Sequence, residues 1–183
     1  LDAGTVSLNG GYDATDPIRV ARFTIRDYHA KKRWLSVPEI FMYSSNIGTV
    51  KMALDVGIPG HKKFLSSLGM MKTVGIELSE TGTPLSPDNW REINSMTISF
   101  GHGLAVSPLH LVAGVSAVVN GGIYRTPTLI RRSPADIPVG KRIISEDTSL
   151  EMRRLMRLVV EQGTGRKAAA PGYLVGGKTG TAE

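Results

Sequence analysis

"PGYLVGGKTGTAE", residues 171–183, can be read in two incompatible ways, and the choice between them decides the fold. Gly172 followed by Gly177-Lys178-Thr179 satisfies the phosphate-loop pattern G-x-x-x-x-G-K-[ST]. A phosphate loop needs a buried apolar strand before its first glycine and a helix after its lysine, because phosphate binds the backbone amides at that helix start. Neither flank meets this. "GRKAAAP" ahead of Gly172 has loop composition, the apolar Tyr173, Leu174 and Val175 fall inside the supposed loop, and Gly180 interrupts the expected helix. The other reading is a strand from Tyr173 to Thr181. Gly176 and Gly177 then leave a bare backbone that an extended ligand can approach and pair with. Lys178 adds positive charge, and Thr179 and Thr181, two apart, project from one face. Together these groups suit a carboxylate. A solvent-facing turn over residues 176–183 uses the same residue types and stays open on these letters alone.

The second informative stretch is "SVPEIFMYSSNIGTVKMALDVG", residues 36–57. Ser36 and Glu39 have capping-box spacing and Pro38 sits in the first turn, so a helix is expected to start near residue 37. It meets Ser44-Ser45-Asn46, whose short polar side chains compete with the backbone for hydrogen bonds and favour helix ends. The apolar period resumes with Ile47, Val50, Ala53 and Leu54 and stops at Gly57. A helix-to-helix junction is therefore expected at residues 44–46, with Asn46 capping the second helix. Ser7-Leu8-Asn9 repeats the S-x-N pattern but runs into Gly10-Gly11 and reads as a turn. The copy at Ser44 gains from its placement between helices, 134 positions before Lys178.

Around these two blocks, residues 1–35 carry turn signals at Asn9-Gly10 and Asp16-Pro17 and alternation in "RFTIRD", and are expected to form an extended, hairpin-like arm. "GHKKFLSSLG" reads as a short helix ending at Gly69. "SPLHLVAGVSAVVNGG" reads as a helix capped by Ser107, with Pro108 in first position, and apolar nearly all round, hence buried. "GIYRTPTLIRR" is strand-like, with Pro127 pushing it toward a sheet edge. A last amphipathic helix is expected from Ser145 to Gln162, stopped by Gly163.

A chain of 183 residues suits one domain, and 41% hydrophobic with 21% charged residues describes a globular one. Zero cysteines exclude a disulfide framework and a cysteine nucleophile. Four histidines without HExxH or paired-ligand spacing point to no metal; His102 beside glycines and His110 on the apolar helix read as structural. The run Leu109–Val119 is too short for the ~20 residues of a membrane span, and Leu1 opens nothing like a signal peptide. The charge of +6 comes from pairs such as Arg131-Arg132 and Arg153-Arg154, scattered without interleaved aromatics, so no nucleic-acid partner is expected.

With these blocks in place the chain resembles the transpeptidase domain of class B penicillin-binding proteins, particularly the division-specific type called penicillin-binding protein 3. The resemblance rests on "YSSNIGTVKMA", on "MTISFGHGLAVSPLHLVAGVSAVVNGGIYRTP" and on "GGKTGTAE", and covers nearly the whole chain. It implies an α+β, predominantly helical fold: the helical portion of the penicillin-binding/β-lactamase-like transpeptidase fold, lacking the nucleophile helix and the later sheet strands. Residues 1–183 would form a single partial domain from S-x-N to K-T-G, with the 1–35 arm within it.

The resemblance also implies a chemistry. A serine of an S-x-x-K motif attacks the penultimate D-Ala of a D-Ala-D-Ala stem peptide, a second stem peptide's amine resolves the acyl-enzyme, and β-lactams acylate the same serine. Ser44 would relay protons, Asn46 would bond the substrate amide, Lys178 would set the potential, and Thr179 and Thr181 would bind the carboxylate, with Gly180 giving clearance. No cofactor is implied. Divisome proteins are the implied partners, and the periplasmic face of the bacterial inner membrane is the implied location. No serine here is followed at the fourth position by lysine, so the nucleophile is expected outside the chain, upstream of Leu1. A noncatalytic binding or scaffold module with the same helical fold is the alternative.

Overall fold

The computed structural model describes residues 1–180. Its first 36 residues build two nested antiparallel pairs. The outer one pairs β1 (Gly11–Asp13) with β4 (Trp34–Ser36), Tyr12 opposite Leu35, and the inner one is the hairpin of β2 (Ile18–Val20) and β3 (Phe23–Ile25) between them. Leu35 and Ala14 are fully buried against Ile40 and Ile47. Ile25 packs with Val50 and Met96, so the arm is stitched to the helices through both pairs.

α1 (Val37–Tyr43) starts as its residues dictate. The Ser36 hydroxyl accepts from the Glu39 amide, and the Glu39 carboxylate accepts from the Ser36 amide at 3.0 Å. Arg33, 2.6 Å from Glu39, is the main reason that carboxyl is held down to about 2, with the Ser36 amide adding to it. α2 (Asn46–Ser67) leaves helical geometry at Gly57, where φ is 74°. The break expected at Gly57 is present, and Pro59, which has no N–H to donate, begins the second piece. That piece ends at Ser67, two residues short of the expected Gly69, which takes φ 74° just beyond.

α3 (Glu92–Ser99) was not anticipated; it lies along α2, burying Met96 and Ile98. α4 (Pro108–Val119) has the expected cap at Ser107 and first-position proline. It is not buried all round. His110, Ala113, Gly114 and Ala117 form its inner face, whereas Leu111 and Val112 are 54% and 60% exposed, because no described residue covers that side. α5 (Glu146–Gln162), capped by Ser145 and stopped at Gly163, packs on α1 and α4.

The remaining sheet is smaller than the sequence suggests. In "GIYRTPTLIRR" only β5 (Ile123–Tyr124) pairs, with β6 (Lys141–Arg142), since Pro127 lacks a donor and the residues beyond find no ladder. The expected strand from Tyr173 is a second correction: residues 174–180 form no strand, and Tyr173 and Leu174 are 76% and 91% exposed. A strand is stable only with a partner, and among the described residues none lies beside it. Among the described residues, five α-helices against three two-stranded pairs give an α+β, predominantly helical fold. Among the described residues no helix is long and apolar enough to cross a membrane.

Candidate active site

The α1–α2 junction carries the S-x-N residues. Ser44 ends α1 in the left-handed region, φ 57° and ψ 47°, its amide directed to the carbonyls of Ile40 and Phe41. That turn points the next residue back along the chain as a cap. Ser45, 3% exposed, is the cap of α2: its hydroxyl accepts from the Gly48 amide at 3.0 Å and donates to Asp27 at 2.8 Å. Asn46 is therefore the first residue of α2 and not its cap, a correction decided by Asp27, whose other oxygen accepts from the Ile47 amide at 2.9 Å. The Asn46 side chain instead donates Nδ2 to the Arg26 carbonyl at 2.9 Å.

Lys178 reaches this junction from the far end of the chain. Its Nζ donates to Ser44 Oγ at 2.7 Å across 134 positions, and lies 5.9 Å from the centre of the Phe41 ring. The residue as a whole is exposed, while its ammonium rests against the end of α1, between the Ser44 hydroxyl and the Phe41 ring. Burial of that ammonium moves its pKa below the ordinary lysine value of 10.5. The segment bearing it is hung on α5 without a sheet. Arg157 donates to the Val175 carbonyl at 3.0 Å, and the Gly177 amide donates to the Met156 carbonyl at 3.1 Å.

Thr179 is placed by a residue the sequence reading passed over. Thr164, in the loop after α5, shares a hydrogen bond with it, Oγ1 to Oγ1 at 2.7 Å. The Thr164 amide in turn donates to the Met42 carbonyl of α1 at 3.3 Å. Gly163 permits this closeness, since a Cβ there would lie 2.5 Å from the same Met42 oxygen. Its only signal in sequence was a small polar residue between two glycines just after a helix stop. Asp27 was equally missed, read only as part of an alternating arm.

Ser44, Asn46, His102, Thr164, Thr179 and Gly180 line one cleft of about 1180 Å³. Thr181 lies outside the described residues. Another cavity, of about 600 Å³ between the end of α2 and residues 124–141, contains none of the expected site residues. His110 has the structural place expected of it. Its Nε2 donates to the Lys72 carbonyl at 2.9 Å, since a carbonyl can only accept, and its Nδ1 accepts from Ser107 at 2.7 Å. Residues 173–180 have neither the strand nor the helix that a phosphate loop requires, and Lys178 faces a hydroxyl of α1's end.

The arrangement offers a cation, a serine hydroxyl bonded to it, a side-chain amide and a threonine hydroxyl on one opening. Residues 1–183 match, from end to end, the family model of the penicillin binding protein transpeptidase domain. The chain belongs to that family. It is 42% identical over 186 residues to a probable peptidoglycan D,D-transpeptidase FtsI of Caulobacter vibrioides, covering 100% of this chain and 32% of that protein. In fold it is similar to the apo transpeptidase domain of Burkholderia pseudomallei penicillin-binding protein 3, with TM-score 0.91, 30% identity, and coverage of 98% of this chain and 55% of that one. Penicillin-binding protein 3 of Mycobacterium tuberculosis, solved in complex with ampicillin, superposes with TM-score 0.88 at 26% identity, covering 99% of this chain and 44% of that one. The chain thus spans about a third of the length of the curated transpeptidase it matches.

Proposed function

We propose that these residues are the S-x-N and K-T-G side of the active site of a serine peptidoglycan D,D-transpeptidase acting in cell division. The 2.7 Å hydrogen bond from Lys178 to Ser44 carries this reading, because it joins two motifs 134 positions apart at the mouth of one cleft. The intact protein supplies the S-x-x-K serine, which these 183 residues do not contain.

In the first half-reaction that serine gives its proton to the S-x-x-K lysine and attacks the carbonyl carbon of the penultimate D-Ala of a stem peptide. The C–N bond to the last D-Ala breaks, and the leaving amine receives a proton through the Ser44 hydroxyl. A hydroxyl suits this relay because it donates and accepts at once. Lys178, partly desolvated and donating to Ser44 Oγ, keeps that hydroxyl oriented and adds positive potential where the terminal carboxylate must sit. Thr179, steadied by Thr164, donates to the carboxylate together with Thr181, and Gly180 leaves the ligand backbone room. In the second half-reaction the amine of another stem peptide attacks the ester and restores the serine.

A β-lactam places its carboxylate in the same clamp and leaves a stable acyl-enzyme, in line with the ampicillin complex of the Mycobacterium tuberculosis relative. The substrate places the reaction at the outer face of the inner membrane, beside the partners that build the septum.

A fluorescent penicillin tests the reading. The intact protein is expected to give a gel-stable adduct at an S-x-x-K serine and the 183-residue chain alone none. An intact protein that stays unlabelled would mean a noncatalytic scaffold with the same helices. Labelling of the 183-residue chain would displace the nucleophile from S-x-x-K.

A further inference from the structure

The arm that precedes α1 does more than cover the core. Residues 26 and 27 make three hydrogen bonds with the S-x-N turn and its flank. Asp27 Oδ2 accepts from the Ser45 hydroxyl at 2.8 Å, and Oδ1 accepts from the Ile47 amide at 2.9 Å. The Ser45 oxygen, once its proton is committed to Asp27, is free to accept from the Gly48 amide at 3.0 Å. The Arg26 carbonyl accepts from Asn46 at 2.9 Å. That last bond settles which way the Asn46 amide faces: a backbone carbonyl only accepts, so the atom against it is Nδ2. A carboxylate at the first turn of α2 is also favoured by the partial positive charge of the helix start.

We infer that Asp27 is a positioning residue of the transpeptidase site, holding Ser45 and the start of α2 so that the neighbouring Arg26 carbonyl fixes the orientation of the Asn46 amide beside the cleft. This rests on the reading above and extends it to the arm. Ser44, Ser45 and Asn46 are consecutive, so the bonds that hold Ser45 also set the direction of the side chains on either side. Ser45 itself is buried and touches no ligand; its hydroxyl transmits the restraint. Asp27 and Asn46 share the wall of the cleft, so the restraint is applied beside the place of use.

The test uses the intact protein and a fluorescent penicillin in rapid-mixing experiments that separate the binding constant from the first-order acylation rate, with the thermal midpoint measured alongside. Asp27→Asn keeps size and one acceptor but replaces the oxygen that Ser45 donates to. It is expected to lower the acylation rate tenfold or more, with the binding constant changed less than threefold and the midpoint within a few degrees. Ser45→Ala removes the other half of the same bond, and the double variant is expected to be no slower than the slower single variant, because both act through one unit.

An Asp27→Asn rate within twofold of wild type, or single losses that multiply in the double variant, overturns the inference. If Asp27→Asn does not fold, Ser45→Ala carries the test alone, and a rate within twofold of wild type has the same force. Wild-type protein that forms no adduct would defeat the transpeptidase reading and not the role of Asp27, so the two failures are told apart by the control.

Discussion

Lys178→Met removes the ammonium while keeping a flexible apolar stem along Phe41. The magnitude follows from where Nζ sits, 2.7 Å from Ser44 Oγ and partly desolvated. A carboxylate seated ~4 Å from it would interact by about 4 kcal/mol at an effective dielectric constant of about 20. Loss of one positioned electrostatic group commonly costs ~3 kcal/mol in catalysis. At about 1.36 kcal/mol per factor of ten, the second-order rate of acylation by a fluorescent penicillin is expected to fall a hundredfold to a thousandfold in the intact protein. Stability should barely follow, because a half-solvated hydrogen bond to a charged group gives the low end of ~1.5–3 kcal/mol and its loss is offset by relief of the buried charge. That relief has a signature in pH. The folded pKa lies below 10.5, so the cost of holding the ammonium is fully present below the folded value. Between the two values the unfolded chain binds more protons, and wild-type stability rises with pH across that window. The methionine variant should lack this rise. Acylation within threefold of wild type would reduce "KTG" to a surface turn and end the shared-site reading.

Glu39→Gln tests the start of α1. The carboxyl is held at about 2, first by Arg33, so its contribution is present above 4.5 and lost as pH falls from 4.5 through about 2. The pair is largely solvated, which limits the loss near pH 7 to about 1 kcal/mol; denaturant titrations of the two proteins should converge by pH 2, and a difference that persists there contradicts the assignment. Gly48→Ala probes the crossing of α1 and α2: the new Cβ would meet Ile40 Cγ1 at 2.5 Å, and Ile40 is buried. Overpacking of ~1–3 kcal/mol outweighs the ~1 kcal/mol gained in helix propensity, so the urea midpoint should fall at unchanged slope. A rise in the midpoint would show that the core there is looser than it looks.

What was legible in the sequence was what local chemistry decides. Ser36 with Glu39, Ser107 with Pro108, and Ser145 with Gly163 mark the ends of α1, α4 and α5, because a cap is a bond between residues two or three apart. Where tertiary contacts decide, the reading failed. Ser45 and Asn46 are equally good caps by type, and Asp27, 18 residues upstream, chooses between them. α3 has Arg91 before its first residue, a poor cap, and owes its place to Met96 against Val50 and to Trp90, which donates to Ser95 at 2.7 Å. Residues 173–180 have strand-like letters, but pairing is a property of two segments, and among the described residues no second segment pairs with them. The site shows the same division: its motifs were visible as letters, whereas Thr164, whose bond to Thr179 joins the end of α5 to the K-T-G segment, has no mark beyond two flanking glycines.

Ser44 separates what the fold requires from what the chemistry requires. α1 must end and α2 begin with two residues between them, and the left-handed turn at Ser44 makes that possible while its amide and that of Ser45 satisfy carbonyls of the last turn. A glycine takes this conformation freely; a serine is strained in it by ~1–2 kcal/mol. Nothing in the packing needs the hydroxyl, whose one described bond is the one from Lys178. Of the described non-glycine residues at positive φ, Ala21, Lys32 and Ser44, it is Ser44 that lines the cleft, a place where local strain can accompany function. Ser44→Gly should leave stability within about 1 kcal/mol of wild type, since relief of strain is offset by the greater freedom of glycine in the unfolded chain. In the intact protein it should also lower the rate of acylation and of stem-peptide turnover at least tenfold, the range of a lost proton relay being ~10²–10⁴. Calorimetry and the penicillin assay on the same preparation check both halves. A loss of more than about 2 kcal/mol with acylation intact would make the Ser44 hydroxyl a brace between α1 and the K-T-G segment, and the proton would have to travel by another route.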